Sequence, residues 1–256
     1  MRHSAALIDP AARLAADVEV GAYSIIGPDV EIGAGTVVGP HVVISGHTRI
    51  GQRNRIFQFA SVGEENQDKK YRGEPTRLEI GDDNVIREYC NIHRGTVQDR
   101  GVTRIGHRNL LMTSVHIAHD CVIGDDNIIA SGSGVAGHVH IGNHVILGGM
   151  TGVHQFCHLG SHAMAGGGSV VLKDVPAYVL VSGNPAAAHG MNFEGLRRRG
   201  WSAETISTLK RAYRIVYRDG LTLEVAVAEA EKLVAECPEV QPFIDSLKAS
   251  TRGIVR

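Results

Sequence analysis

The chain has 256 residues, enough for one large domain with an appendage, and its 26 basic against 27 acidic residues leave no global field for nucleic acid or a membrane surface. No window reaches the roughly 18 apolar residues of a membrane span, and the opening segment lacks the apolar stretch of a secretory signal. The four cysteines (Cys90, Cys121, Cys157, Cys237) show neither CxxC nor zinc-finger spacing, so a soluble, cytoplasmic protein with reduced thiols is expected. Only 5% of the residues are aromatic while glycine (31) and histidine (14) are abundant, which implies a core of small and branched aliphatics.

From Ile8 an aliphatic residue recurs at every sixth position: Ile8, Leu14, Val20, Ile26, Ile32, Val38, Ile44, Ile50, Ile56 and Val62. The beat resumes at Ile80, Ile86 and Ile92, restarts at Ile105 and runs on to Val171 and Ala177. A small, branched or short polar residue follows four places later, as at Val18, Ser24, Val30, Thr36, Val115, Cys121, Asn127 and Ser133. A six-residue period fits neither an amphipathic helix nor a hairpin array; it fits short parallel strands joined by tight turns, three to a coil, with glycine easing the turns. Residues 18 apart then lie one above the next, which sets Cys121 and Cys157 two rungs, or about 10 Å, apart and beyond disulfide reach.

Two polar stretches interrupt the beat, "EENQDKKYRGEPTRLE" (64–79) and "RGTVQDRGVTR" (94–104), and both are predicted to leave the coil as loops at one edge. Counted as insertions between one face and the next, they place Val62, Ile92, Ile117, Val135 and Val153 in a single column. His119, His138, His154 and Gln155 then stack on successive rungs beside that column, with His93 below and Gly137 sharing the rung of His138. Most of the 14 histidines are ordinary turn residues, but a column of them flanked by two loops reads as a site. The spacing demands no zinc, whose ligands must converge tetrahedrally. Acid–base chemistry fits better: a carboxylate at Asp120 beside His119 can raise and orient an imidazole base, provided that the turn brings adjacent side chains together. Gly137 can aim a backbone N–H at a developing oxyanion.

Past "VSGNPAAAHG" (181–190) the beat ends and helices are expected, giving a coil over residues 1–190 and a helical unit over 191–256. Ser202 and Thr222 cap two of the helices, Gly220 stops the first, and Pro238 opens a third. Residues 192–218 carry seven basic side chains (Arg197, Arg198, Arg199, Lys210, Arg211, Arg214, Arg218) against Glu194 and Glu204, a patch suited to an acidic partner or a phosphate.

Taken together, "NQDKKYRGEPTRLEIG", "NIHRGTV", "HIAHDCVIG", "GGMTGVHQF" and "NFEGLRRRG", with the closing "STRGIVR", closely resemble the UDP-N-acetylglucosamine 3-O-acyltransferase family across nearly the whole chain. The resemblance implies a left-handed parallel β-helix of hexapeptide repeats, followed by a C-terminal α-helical domain. It implies transfer of a (3R)-hydroxyacyl group from acyl carrier protein to the glucosamine 3-hydroxyl of UDP-N-acetylglucosamine, the step that starts lipid A synthesis. His119 matches the family's base, Asp120 its neighbour and Gly137 the oxyanion donor. His116, His138 and His154 match groups that bind donor or acceptor, and Asp68 and Lys70 match loop residues that meet the sugar and phosphate. Gln155, Asn192, Glu194, Arg198 and Arg199 match residues around the nucleotide.

Gly167 matches the position that measures the acyl chain, with Met164 near the groove end; a hydroxyacyl group of about 10 to 14 carbons is expected. The family is a homotrimer with sites between subunits and needs no metal or dissociable cofactor, since the phosphopantetheine thioester arrives activated. A later N-acyltransferase of the same pathway carries a further domain ahead of its prism, whereas here the beat already begins at Ile8. A zinc hydratase and a non-catalytic scaffold are the readings of other classes.

Overall fold

The computed structural model describes all 256 residues. The six-residue beat resolves into two- to five-residue parallel strands stacked on three faces. The first face runs from Leu7–Ile8 through Ser61–Glu64, Asn91–His93, His116–Ile117, Gly134–Val135 and Gly152–Val153 to Val170–Val171. The second runs from Arg13–Leu14 to His158–Leu159, and the third from Glu19–Val20 to Val179–Gly183, where Ala186–Met191 turns back antiparallel. Register follows the expected 18-residue coil, Ile8 lying beside Ile26 and Ile26 beside Ile44. Each beat residue from Val20 onward points inward and is buried, as are the small residues at the corners, so one continuous aliphatic core fills the coil. The four cysteines are buried and unpaired.

Glycine eases the turn as expected at some corners, Gly35, Gly132 and Gly168 having φ of 69° to 70°, but it plays a second part as well. The tight corners take a left-handed backbone, yet many are filled by bulky residues: Tyr23, His41, Arg53, Phe59, His138 and Phe156 all have φ between 53° and 64°. Glycines that follow the aliphatic position, such as Gly81 and Gly106, are needed for close approach instead. A Cβ on Gly81 would sit 2.6 Å from the carbonyl oxygen of Gly106 on the next coil.

Both interruptions leave at the corner between the first and second faces, and both are shorter than expected. Strands resume at Arg77–Ile80 and Val102–Ile105, because Leu78 and Ile80 alternate inward beneath exposed or half-exposed charges at Arg77 and Glu79. Register survives the insertions, Val62 pairing with Ile92 and Ile92 with Ile117.

The beat fails one step earlier than expected. At Ala177 there is no strand; Val175 makes a single bridge to Leu159, and the C-terminal tail closes the coil there through a bridge from Asp174 to Ile254. Buried Asp174 accepts hydrogen bonds from His158 N, Ser250 Oγ, Thr251 N and Arg252 N.

Four helices follow: α1 (Phe193–Arg198), α2 (Ala203–Tyr217), α3 (Leu223–Glu231) and α4 (Gln241–Lys248). Ser202 and Thr222 cap α2 and α3 as expected, while Pro238 begins a 3-10 turn that runs into α4. Helix α2 buries Ile206, Leu209, Ala212 and Val216, so the helices share an apolar core continuous with the coil. No helix is long and apolar enough to cross a membrane.

Candidate active site

Residues adjacent along a strand face opposite ways, but Asp120 occupies a corner with φ 58°, and this turn folds its side chain back onto its neighbour. His119 Nδ1 lies 3.0 Å from Asp120 Oδ2. The carboxylate also accepts from Thr96 N and Thr96 Oγ1. Burial pushes the Asp120 carboxyl upward, and the hydrogen bonds from His119 and Thr96 outweigh it, leaving the pKa below the ordinary carboxylate value. The ion is therefore the resting form at neutral pH. A fixed carboxylate at Nδ1 requires the proton there, which leaves His119 Nε2 as the lone-pair edge.

Gly137 packs flat against that ring. A Cβ at this position would lie 2.5 Å from His119 Cε1 and 2.7 Å from Nε2, so no other residue fits without moving the histidine. The Gly137 N–H donates to no group in the chain.

These groups border an open cleft of about 690 Å³. Its walls include Gln67, Asp68 and Lys69 from the first loop, His93, His116, Ala118 and His119 from the middle coils, and Gly137, His154 and Gln155 from the next. His116 Nδ1 is 2.9 Å from Asn91 Oδ1, and its pKa is lowered chiefly by burial. His93, edge-on to His116, is driven from 6.5 to about 4 by burial and by that neighbour. The outward column of the first face reads His116, Gly134, Gly152, Val170, and nothing in the chain comes within 4 Å of a Cβ placed on either glycine. The fold itself does not require glycine there; the cleft gains a smooth floor two rungs long.

The expected residues are thus gathered in part. His119, Asp68, His116, His154, Gln155 and Gly137 line one cleft with Asp120 directly behind His119, and His138 lies edge-on to His119 at 5.0 Å. Lys70 stands outside the lining, its backbone N–H held by Asp68 Oδ1.

Sequence reasoning missed Arg94, Thr96 and Asp99 of the second loop. Buried Arg94 donates to Gly63 O and Tyr71 Oη and ties the two loops together, while Asp99 accepts from His138 Nδ1 at 2.8 Å. Nothing periodic marks them, since they fall where the beat is broken. Ligand-type atoms of His119, Asp120 and His138 converge within 4.8 Å, but their inward atoms are already engaged with one another, with Thr96 and with Asp99. The cluster reads as a hydrogen-bond network.

Comparison with known proteins bears on what this site belongs to. Residues 174–255 match the family profile described as UDP-N-acetylglucosamine O-acyltransferase, domain 2, and residues 11–46 and 103–137 match the bacterial transferase hexapeptide profile. The acyl-[acyl-carrier-protein]–UDP-N-acetylglucosamine O-acyltransferase of Thiobacillus denitrificans is 61% identical over 99% of this chain and 98% of its own; that of Stutzerimonas stutzeri is 61% identical over 98% and 97%. The chain belongs to this acyltransferase family. The solved UDP-N-acetylglucosamine O-acyltransferase of Moraxella catarrhalis superposes with a TM-score of 0.98 at 58% identity, covering 100% of this chain and 99% of that one. The fold class, a left-handed β-helix with a helical tail, is accordingly that of the family.

Six expected residues of this acyltransferase lie away from the cleft. Asn192 is buried, caps α1 through Gly195 N and donates to His162 O. Glu194 pairs with Arg197 and Arg198, and Arg199 reaches only the Gly195 carbonyl, at 3.5 Å. Met164 sits on the third face, and Gly167 follows it on the way to the first. The basic patch is also partly answered within the chain, by Glu194, by Glu236 on Arg211 and by Asp219 on Arg214. These are exposed pairs that contribute little and exchange readily.

Proposed function

We propose that the chain moves a (3R)-hydroxyacyl group from acyl carrier protein to the glucosamine 3-hydroxyl of UDP-N-acetylglucosamine, the first step of lipid A synthesis, with His119 as general base. The observation that carries this is the His119–Asp120 pair: an imidazole tethered at Nδ1 by a buried carboxylate, with Nε2 toward an open cleft and the unengaged Gly137 N–H beside it.

His119 Nε2 takes the proton of the 3-hydroxyl as that oxygen attacks the thioester carbonyl carbon. Negative charge gathers on the carbonyl oxygen, where Gly137 N–H donates to it. The intermediate collapses by breaking the carbon–sulfur bond, and the proton on Nε2 passes to the departing pantetheine sulfur. Asp120 stabilises the imidazolium between these steps. The activated thioester supplies the driving force, so no metal or dissociable cofactor takes part.

The glycine floor at Gly134 and Gly152 suits an extended, flexible arm, and His116, His154, Gln155 and Asp68 line the cleft around the bound groups, with His138 packed edge-on to His119 and Lys70 next to Lys69 of the lining. The separation of Asn192, Glu194, Arg198, Arg199, Met164 and Gly167 from the cleft favours a homotrimer in which a neighbouring subunit supplies them. The arginines of α1 and α2 then receive the acidic carrier protein in the cytoplasm. The reading is tested by mass spectrometry of the products from a set of hydroxyacyl carrier proteins, with native chain and His119→Ala in parallel. Transfer by the native chain that falls about 10³-fold in a still-trimeric variant is the expected result; a variant as fast as the native chain rejects His119 as the base.

A further inference from the structure

Beside the His119–Asp120 pair stands a second imidazole–carboxylate pair. Asp99 Oδ2 is 2.8 Å from His138 Nδ1. The His138 ring is gripped on both sides, stacked on Phe156 at 4.4 Å and 5° and edge-on to His119 at 5.0 Å and 86°. Asp120 cannot serve His138 as well: its oxygens are committed to Thr96 and His119, and its Oδ2 is 4.0 Å from His138 Nδ1. The two carboxylates are coupled through one turn of the second loop, where Asp99 N and Gly101 N both bond to Thr96 O. This loop therefore reaches both imidazoles, through Thr96 to the carboxylate behind His119 and through Asp99 to His138.

We infer that Asp99 is a positioning residue for the acyl transfer: by fixing the His138 ring it holds the His119 ring packed against it and adds a second negative charge next to the base. The inference rests on the functional reading above. The charged and titratable groups facing His138 are Asp99 and Asp120, His119, and His140 two residues along, with Arg100 of the loop beside His140. Those facing His119 are Asp120 and His138, with His116 and His93 on the cleft side. Within this set Asp99 is the carboxylate that can be neutralised without touching the Asp120–Thr96 bonds. Its loss weakens the hold of the imidazole pair on a proton, so less base strength remains and the pair deprotonates at lower pH.

The test is steady-state kinetics across about pH 5.5 to 9 for Asp99→Asn, Asp99→Ala and Asp99→Glu, with thermal melting of each. The expected result for Asn and Ala is a roughly tenfold fall in kcat, KM values within about twofold of native, an acid limb of kcat/KM displaced to lower pH, and partial recovery in Glu. In parallel, the nitrogen shifts of His138 in native protein report a proton fixed on Nδ1, and in Asp99→Ala a mixture of tautomers. A native chain that transfers no acyl group removes this proposal together with the functional reading. A native chain that transfers normally, with Asp99→Ala unchanged in kcat and acid limb or altered only in melting, overturns the proposal alone.

Discussion

Asp120 has no solvent exposure, and its Oδ2 lies 3.0 Å from Nδ1 of the residue before it, His119. Two neighbours in sequence come into hydrogen-bond contact, as the proposed base and its orienting carboxylate must, only because the corner between them is left-handed. Asp120→Asn places an amide against Nδ1 and can present its NH2 there, which favours the wrong tautomer while leaving an oxygen for Thr96. The expected outcome is a fall in kcat of about 100-fold with the fold retained, checked by rate and circular dichroism. An unchanged kcat would remove Asp120 from the mechanism.

Acid should unfold this protein earlier than its balanced charge suggests. His93 and His162 are both held near 4 from an ordinary 6.5, chiefly by burial, aided by His116 in the first case and by His144 and Arg199 in the second. The unfolded chain binds these protons below 6.5 and the folded chain does not until about 4, so their stabilisation is complete above 6.5 and drains away between the two. Asp120, held below its ordinary value, acts in the same direction at still lower pH. His162 Nδ1 has no partner, and the ring stacks on Tyr178 and His144 and meets Trp201 edge-on. His162→Phe keeps the stacking and should flatten the loss of urea midpoint between about pH 6.5 and 4; a slope as steep as native would show that His162 contributes nothing to it.

Much of this was legible before the structure, for a definite reason. A period of six is a property of the core, and Ile117, Val135 and Val153 could be set in one column by counting alone. The histidines ride on those rungs and so came with them. What could not be read was whatever lies off the beat. Thr96 and Asp99 sit inside an interruption, where counting gives no register, yet they anchor both imidazoles. The early end of the coil at Ala177 was hidden because an alanine satisfies the pattern without making a strand. Residues expected around the nucleotide, such as Asn192, fall outside the cleft of a single chain, and a sequence period describes only one prism; in the trimer proposed above they would come from a neighbouring subunit.

The floor of the cleft offers a substitution that separates fold from function. Gly134 and Gly152 are extended and have open space where a Cβ would stand. Valine suits such a position on a strand, so Gly134→Val is expected to leave the melting temperature unchanged or slightly raised. If the acyl-bearing arm lies along this floor, as proposed above, the branches of the valine stand in its path, and KM for the acyl carrier protein should rise at least tenfold. Native kinetics in this variant would place the arm elsewhere.

Gly167 is similarly tolerant, since a Cβ there meets only Gly149 O at 3.4 Å and Gly149 N at 3.8 Å, in ordinary contact. Gly167→Met should therefore fold. If this position measures the acyl chain, donor preference moves to a chain shorter by several carbons, a discrimination of order 10- to 100-fold in kcat/KM between the two lengths. The check is competition between hydroxyacyl carrier proteins in one reaction; the same product ratio from variant and native chain would discount Gly167 as the ruler.

The end of the coil is where stability should be most sensitive to one side chain. The carboxylate of Asp174 satisfies donors from two directions, His158 N on the last full rung and Ser250 Oγ, Thr251 N and Arg252 N on the returning tail. Asp174→Ala leaves these part-buried donors without their acceptor, a loss of about 1 to 2 kcal/mol since water can reach some of them, whereas Asp174→Asn keeps part of the acceptor set and costs less. Because the tail carries Ile254 and Val255 into the core, its release exposes the top of the prism as well. The expected pattern is a graded drop in melting temperature, Asn before Ala, with early proteolytic trimming at the C-terminus of the alanine variant. Equal melting of all three proteins would mean that apolar packing of the tail, without the carboxylate, closes the coil.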